Sequence, residues 1–266
     1  SFGHRAITAF HARCTSGQLL PRLPFGTHDS VAGLLGVLRH RRIASHELRT
    51  PLAVVLGYAS FLRNQVTEEG GEQLNMVLSS AMKLRNLIDD MVNLRHVKND
   101  DVQLETSIFS MRDLIAEALV EFQTLINAKS LRVSVQLVEG NDDAVDIEAD
   151  RQKVYLIVAN IISNAVKFTP ENGLIAVSLS RLDHSIQIQV SDTGVGIPDG
   201  QISRIFEDFY QVEHSLTRRF EGLGIGLSIA KGMTDVHNGE IFAQSVLNRG
   251  SQFVVRLPIS QQNLSY

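Results

Sequence analysis

At 266 residues the chain is longer than one average domain of about 100–200 residues, so two domains are expected. Its 44% apolar content supports real cores, and 20% charged residues is too low for a disordered acidic tail. A net charge of -4 gives no electrostatic footprint for nucleic acid, so none is expected as a partner, and the single cysteine, Cys14, excludes an intrachain disulfide framework and fits a reducing compartment.

Residues 1–28 show no sustained periodicity and read as a linker or truncated remnant. His4, His11 and Cys14 fall there among Gly17, Pro21, Pro24 and Gly26 without a second cysteine, so no metal site is read from them. The apolar stretch from Val31 to Leu38 is far short of the ~20 residues that span a bilayer. No membrane segment is expected in this chain; from the cysteine usage a cytoplasmic location is expected, with an anchor further upstream left open.

From Val31 a heptad begins. Val31, Leu34, Leu38, Leu48, Leu52, Val55, Ala59, Leu62 and Val66 keep one register, interrupted only where Arg41 and Ser45 take seam positions. The spacing predicts one long helix. The polar run Thr67–Glu72, with Gly70 and Gly71, predicts its end and a turn. Leu74, Val77, Ala81, Leu84, Ile88 and Met91 then predict a second helix, giving an antiparallel hairpin. Two helices cannot close a core alone, so two hairpins pairing as a four-helix bundle, hence a homodimer, are expected.

The same heptad places Ser45 on the seam and His46 one position beyond it, facing outward. Thr50, four residues on, shares that face. Pro51 removes a backbone donor and crowds the carbonyl of Glu47, which predicts a kink costing about 3 kcal/mol.

Past Lys98 the pattern changes. A helix follows Ser110 as a candidate cap and runs to about Lys129, then residues 131–138 alternate as a strand. Another helix starts behind Asp150. Two alternating runs flank a polar turn near Asp183, and a glycine-rich stretch, a helix near Leu227–His237 and two further strands complete an α+β domain.

Three segments of this domain carry chemistry. In NIISNAVKF, Asn160, Asn164 and Lys167 share a helix face, with Ile161, Ile162, Ala165 and Phe168 turned elsewhere; amide oxygens suit magnesium and a lysine suits phosphate. Without a ligand the same spacing is a solvated face. SDTGVGIP sets Asp192 before Gly194 and Gly196, which alone says no more than a tight turn. GLGIGLSIAKGM sets Gly222, Gly224 and Gly226 ahead of a helix, where backbone amides can face phosphate oxygens. The spacing is neither a dinucleotide fingerprint nor a P-loop.

Together these segments carry a family resemblance. SHELRTPL resembles the phosphoacceptor box of sensor histidine kinases, and the element order from about residue 30 to 260 is similar to theirs. The resemblance implies an all-α helical hairpin, dimeric as a four-helix bundle, over 29–98, followed over 99–266 by an α+β Bergerat-type ATP-binding sandwich. It implies that His46 is phosphorylated from ATP, that Glu47 orients and deprotonates it, and that Thr50 places the water for a phosphatase reaction. Asn164 is then the Mg2+ ligand, Asn160 supports the phosphates and Lys167 contacts them. Asp192 accepts the exocyclic amine of adenine, with Gly194 and Gly196 allowing close approach. The segment 205–221 resembles the family's lid, with Phe206 and Phe209 at its base and Arg218 or Arg219 near the γ-phosphate. The partner implied is the receiver domain of a response regulator. A nucleotide-binding scaffold without kinase activity is a second reading, disfavoured by intact His46, Glu47, Asn164 and Asp192. A chaperone-like ATPase is a third; such relatives carry a glutamate base where this chain has Asn160.

Overall fold

A computed structural model describes residues 52–60, 62, 68–98, 103–138, 145–212 and 223–260. All of them belong to one unit, Leu48–Tyr266. The predicted heptad before Leu52 and the kink at Pro51 lie outside the described residues.

Residues 52–60 are helical, and a 31-residue helix, α1, covers Glu68–Lys98. Gly70 and Gly71, expected in a turn, instead sit in the first turn of α1. Glycine costs a helix up to about 1 kcal/mol in conformational entropy relative to alanine, which a 31-residue helix absorbs near its end. Leu52, Ala81 and Ile88 form a small core with Leu56. The expected apolar seam is only half buried. Ala59, Ala81 and Ile88 are covered, whereas Val55, Leu62, Val77 and Leu84 are exposed.

The remainder is a two-layer α+β sandwich. In chain order it holds β1 (Thr106–Ser110), α2 (Met111–Glu121), α3 (Gln123–Ala128), β2 (Arg132–Val138), β3 (Asp146–Asp150) and α4 (Arg151–Phe168). It continues with β4 (Leu174–Arg181), β5 (Ser185–Asp192), α5 (Gly226–Val236), β6 (Glu240–Val246) and β7 (Gly250–Pro258). The main sheet runs β2-β4-β5-β7-β6, with β2 and β4 parallel and every other pair antiparallel.

Alternation fixes which face of the sheet is covered. Ile175, Val177 and Leu179 of β4, Ile186, Ile188 and Val190 of β5, and Phe253, Val255 and Leu257 of β7 are buried with Ile157, Val158, Ile161 and Ile162 of α4 and Ile229 and Met233 of α5. Both predicted caps form: Ser110 Oγ accepts from Asp113 N at 3.3 Å, and Asp150 Oδ1 from Lys153 N at 3.1 Å. Two strands escape the sequence reading, β1 and β3, which pair antiparallel as a separate ribbon beside α2 and α4. The helix expected from Ser110 to Lys129 is two, because the chain leaves helical geometry at Phe122 (φ -93°, ψ 3°).

Candidate nucleotide site

A cavity of about 950 Å³ opens where the end of α4, the turn after β5 and the start of α5 meet. Asn160, Asn164 and Lys167 all line it, as do Asp192, Gly196, Gly224 and Gly226. Three segments far apart in sequence thus share one wall system. Phe168, expected to turn away, lines the cavity too, its ring 5.0 Å from the Lys167 ammonium. A helix bends its side chains around the axis by about 100° per residue, so the residue after Lys167 reaches the cavity rim once the helix ends there.

Asp192 closes β5 and is 9% exposed. Its Oδ1 accepts from Gly194 N at 2.7 Å and from Ser251 N at 3.3 Å. Burial pushes the carboxyl above its ordinary range, while the backbone donors at Gly194 and Ser251 pull it down. The two donors hold the carboxyl in place and leave Oδ2 for a donor in the cavity. Gly194 itself has no room for a side chain: a Cβ there would lie 2.7 Å from Phe168 O. The turn is hung on its neighbours by Val195 N donating to Phe168 O at 3.3 Å, Ile197 N to Ser245 Oγ at 2.7 Å and Asn248 N to Val195 O at 2.7 Å.

The opposite end is built for anions. Helix α5 begins at Gly226 behind Ile225 with no side-chain cap, and Gly224 through Leu227 line the cavity, so its positive end faces the space. Asn160 Nδ2 donates to Leu156 O at 2.8 Å, which turns Oδ1 toward Gly226. No other described residue hydrogen-bonds the Asn164 amide, so its oxygen remains available. An uncommitted amide oxygen beside a lysine and a helix N-terminus fits a magnesium ion that keeps most of its waters and is bound largely through phosphate.

Sequence reasoning missed the apolar walls and one polar one. Val195, Ile197, Ile205, Leu223 and Phe253 give the cavity a surface suited to a flat ring, a role their place in ordinary strand and turn patterns conceals. Lys83, Asn86, Leu87 and Asp90 of α1 line the same cavity, so the helical segment closes one side of it. Burial, then the neighbouring Asp89, raises Asp90 to about 6. At the expected lid base, Phe206 packs against the core, while Phe209 is 38% exposed. His46, Glu47, Thr50, Arg218, Arg219 and Gly222 lie outside the described residues.

Comparison with known proteins gives the same reading of both parts. The family "His Kinase A (phospho-acceptor) domain" matches residues 42–99, and "Histidine kinase-, DNA gyrase B-, and HSP90-like ATPase" matches residues 149–261. The chain is 33% identical to the circadian input-output histidine kinase CikA of Synechococcus elongatus, over 80% of this chain and 29% of that protein. It is 31% identical to the sensor histidine kinase RcsC of Escherichia coli, over 81% of this chain and 22% of that protein. The chain thus spans well under half the length of these relatives. Among solved structures, full-length ShkA in complex with AMPPNP is similar with a TM-score of 0.69 and 27% identity, covering 81% of this chain and 44% of that one. Among the described residues, no helix is long and apolar enough to cross a membrane.

Proposed function

Because the chain belongs to the sensor histidine kinases of two-component signalling, we propose that it transfers the γ-phosphoryl group of ATP to its own His46 and then to an aspartate of a response-regulator receiver domain. The observation that carries this reading is the cavity in which Asp192, Asn160, Asn164, Lys167 and the open end of α5 face one another. It offers an acceptor for an adenine amine at one end and donors for phosphate at the other. Where hydrolysing relatives carry a glutamate base, this chain has Asn160.

In this reading residues 29–98 carry the phosphoacceptor and 99–266 the nucleotide, with 1–28 a linker or remnant. A ring nitrogen of His46 attacks the γ-phosphorus, the bond to the bridging oxygen breaks, and ADP leaves while Glu47 takes the ring proton. Magnesium, when bound, neutralises charge on the phosphates. Asn164 holds the ion, Asn160 and Lys167 hold the phosphate side, Asp192 fixes adenine beside Gly194 and Gly196, and Gly222, Gly224 and Gly226 bring backbone amides to the phosphates. Arg218 or Arg219, from the segment that resembles a lid, neutralises charge at the γ-phosphate. Thr50 places water for dephosphorylating the regulator.

The exposed Val55, Leu62, Val77 and Leu84 support a homodimer through the helical hairpin, since a second copy can cover them. The test of the whole reading is incubation with γ-labelled ATP and magnesium. Label stable to alkali, labile to acid and absent from His46→Gln is expected; label that survives His46→Gln overturns the assignment.

A further inference from the structure

Lys129 stands outside the nucleotide cavity, just after α3, yet it holds the end of the helix that forms the cavity's phosphate side. The last four carbonyls of any helix lack intrahelical partners and must find others when buried. At the end of α4 the accounting is complete. Ala165 O takes Thr169 N at 3.0 Å and Thr169 Oγ1 at 2.6 Å. Val166 O and Lys167 O each take the Lys129 ammonium at 2.8 Å, and a third bond of the same length goes to Thr169 O. Phe168 O takes Val195 N at 3.3 Å. An ammonium has three protons, and all three are used.

The clamp is itself fixed. Lys129 N donates to Leu125 O at 3.0 Å, and Lys129 O accepts from Asn172 N at 2.9 Å. Its positive charge lies at the negative end of an 18-residue helix, where it is favoured. Burial lowers its pKa, with Glu171 opposing that shift; the three carbonyls supply the solvation that burial removes.

What hangs on this helix end belongs to both halves of the site. Lys167 and Phe168 line the cavity from it, Asn164 lies one turn earlier, and the Phe168 carbonyl is the peg on which the 192–196 turn rests. Close packing of Gly194 against the same carbonyl leaves no slack between them. The geometry points to Lys129 as a positioning residue that sets the separation between the phosphate-side groups Asn164 and Lys167 and the adenine acceptor Asp192. It rests on the nucleotide reading above. Lys129 touches no substrate and acts through the carbonyls of residues 166, 167 and 169.

The test measures the affinity of the full chain for ATP and GTP with magnesium, by calorimetry, well below each variant's melting temperature. Lys129→Met is expected to bind ATP about tenfold more weakly and to lose about fivefold in preference for ATP over GTP, the scale of one weakened hydrogen bond at each end of the site. Lys129→Arg keeps the charge but cannot address three carbonyls from one nitrogen. It is expected to melt near the parent while binding ATP about threefold more weakly, a split that a purely structural role does not give. Hydrogen exchange at residues 166–169 and 193–196 should quicken together in both variants. Parental affinity and base preference in Lys129→Arg overturn the proposal, whether or not Lys129→Met folds. Asp192→Asn separates this from the underlying reading: if it also leaves ATP affinity unchanged, the nucleotide assignment falls, whereas loss there with none at Lys129 overturns the role of Lys129 alone.

Discussion

The side-chain oxygen of Asn160 lies 2.5 Å from the point where a Cβ on Gly226 would sit. The first residue of α5 and the middle of α4 are therefore in contact through an atom that faces the cavity. Gly226→Ala forces that oxygen aside, and because it ends a flexible side chain, the backbone need not move. Alanine also favours the helix by up to about 1 kcal/mol over glycine. We expect Gly226→Ala to melt no lower than the parent while binding ATP about tenfold more weakly, the scale of a lost or displaced polar contact. Calorimetry with ATP, beside a thermal melt, checks both halves.

Asp150 gathers three bonds at the start of α4: Oδ1 accepts from Lys153 N, Oδ2 from Glu105 N at 3.1 Å, and the Lys153 ammonium sits against Oδ2. The residue is 3% exposed. Asp150→Ala removes a cap and leaves the part-buried donors of Glu105 and Lys153 without their acceptor, so a loss of about 1–2 kcal/mol is expected in urea unfolding. A change below 0.5 kcal/mol, roughly the surface-substitution range, would contradict the capping role.

His237 is buried with both ring nitrogens engaged: Nδ1–H donates to Met233 O at 2.7 Å, and Nε2 accepts from Asp150 N at 3.3 Å. Burial holds its pKa below 6.5, against the pull of the Met233 carbonyl and Asp150. A base with a lowered folded pKa contributes stability that is present above its unfolded pKa and lost as pH falls below it. Unfolding free energy of the parent should therefore decline from about pH 6.5 downward. His237→Gln should be less stable at pH 7.5 but show a shallower decline over the same interval.

Asp90 has the opposite sign. A carboxyl raised from 3.8 to about 6 is destabilised as an anion, so its cost grows as pH rises between those values and is level above them. Asp90→Asn should raise the melting temperature, with a gain that increases from pH 4 to pH 6 and then stays constant. Since Asp90 faces the cavity from α1, the same substitution should slow opening of that side, read as slower hydrogen exchange in α1 at pH 7.5.

The parts of the fold legible in the sequence were those written by strict alternation or a cap. The β4–β5 hairpin around Asp183, the caps Ser110 and Asp150, and α5 all follow from local pattern. Strands β1 and β3 did not, because five-residue strands with polar flanks carry too little periodicity, and their pairing joins residues 36 to 44 apart. Gly70 and Gly71 misled, since glycine's entropic cost of up to about 1 kcal/mol each is too small to end a helix that the rest of its length supports. At the site, Asn160, Asn164, Lys167 and Asp192 were visible as polar residues in apolar company. Lys129 was not: its function lies in three backbone carbonyls about forty residues away, and sequence does not display carbonyl positions.

The parallel pairing of β2 with β4 has a kinetic consequence. Between those neighbouring strands the chain makes β3 and then α4, so the helix with Asn160, Asn164 and Lys167 is carried inside the crossover. Until β2 and β4 find each other, that helix has no fixed floor beneath it, and the entropy of closing a long loop must be met first. Recovery of ATP binding during refolding should coincide with completion of the sheet edge rather than with helix formation, so competence to bind arrives late and all at once.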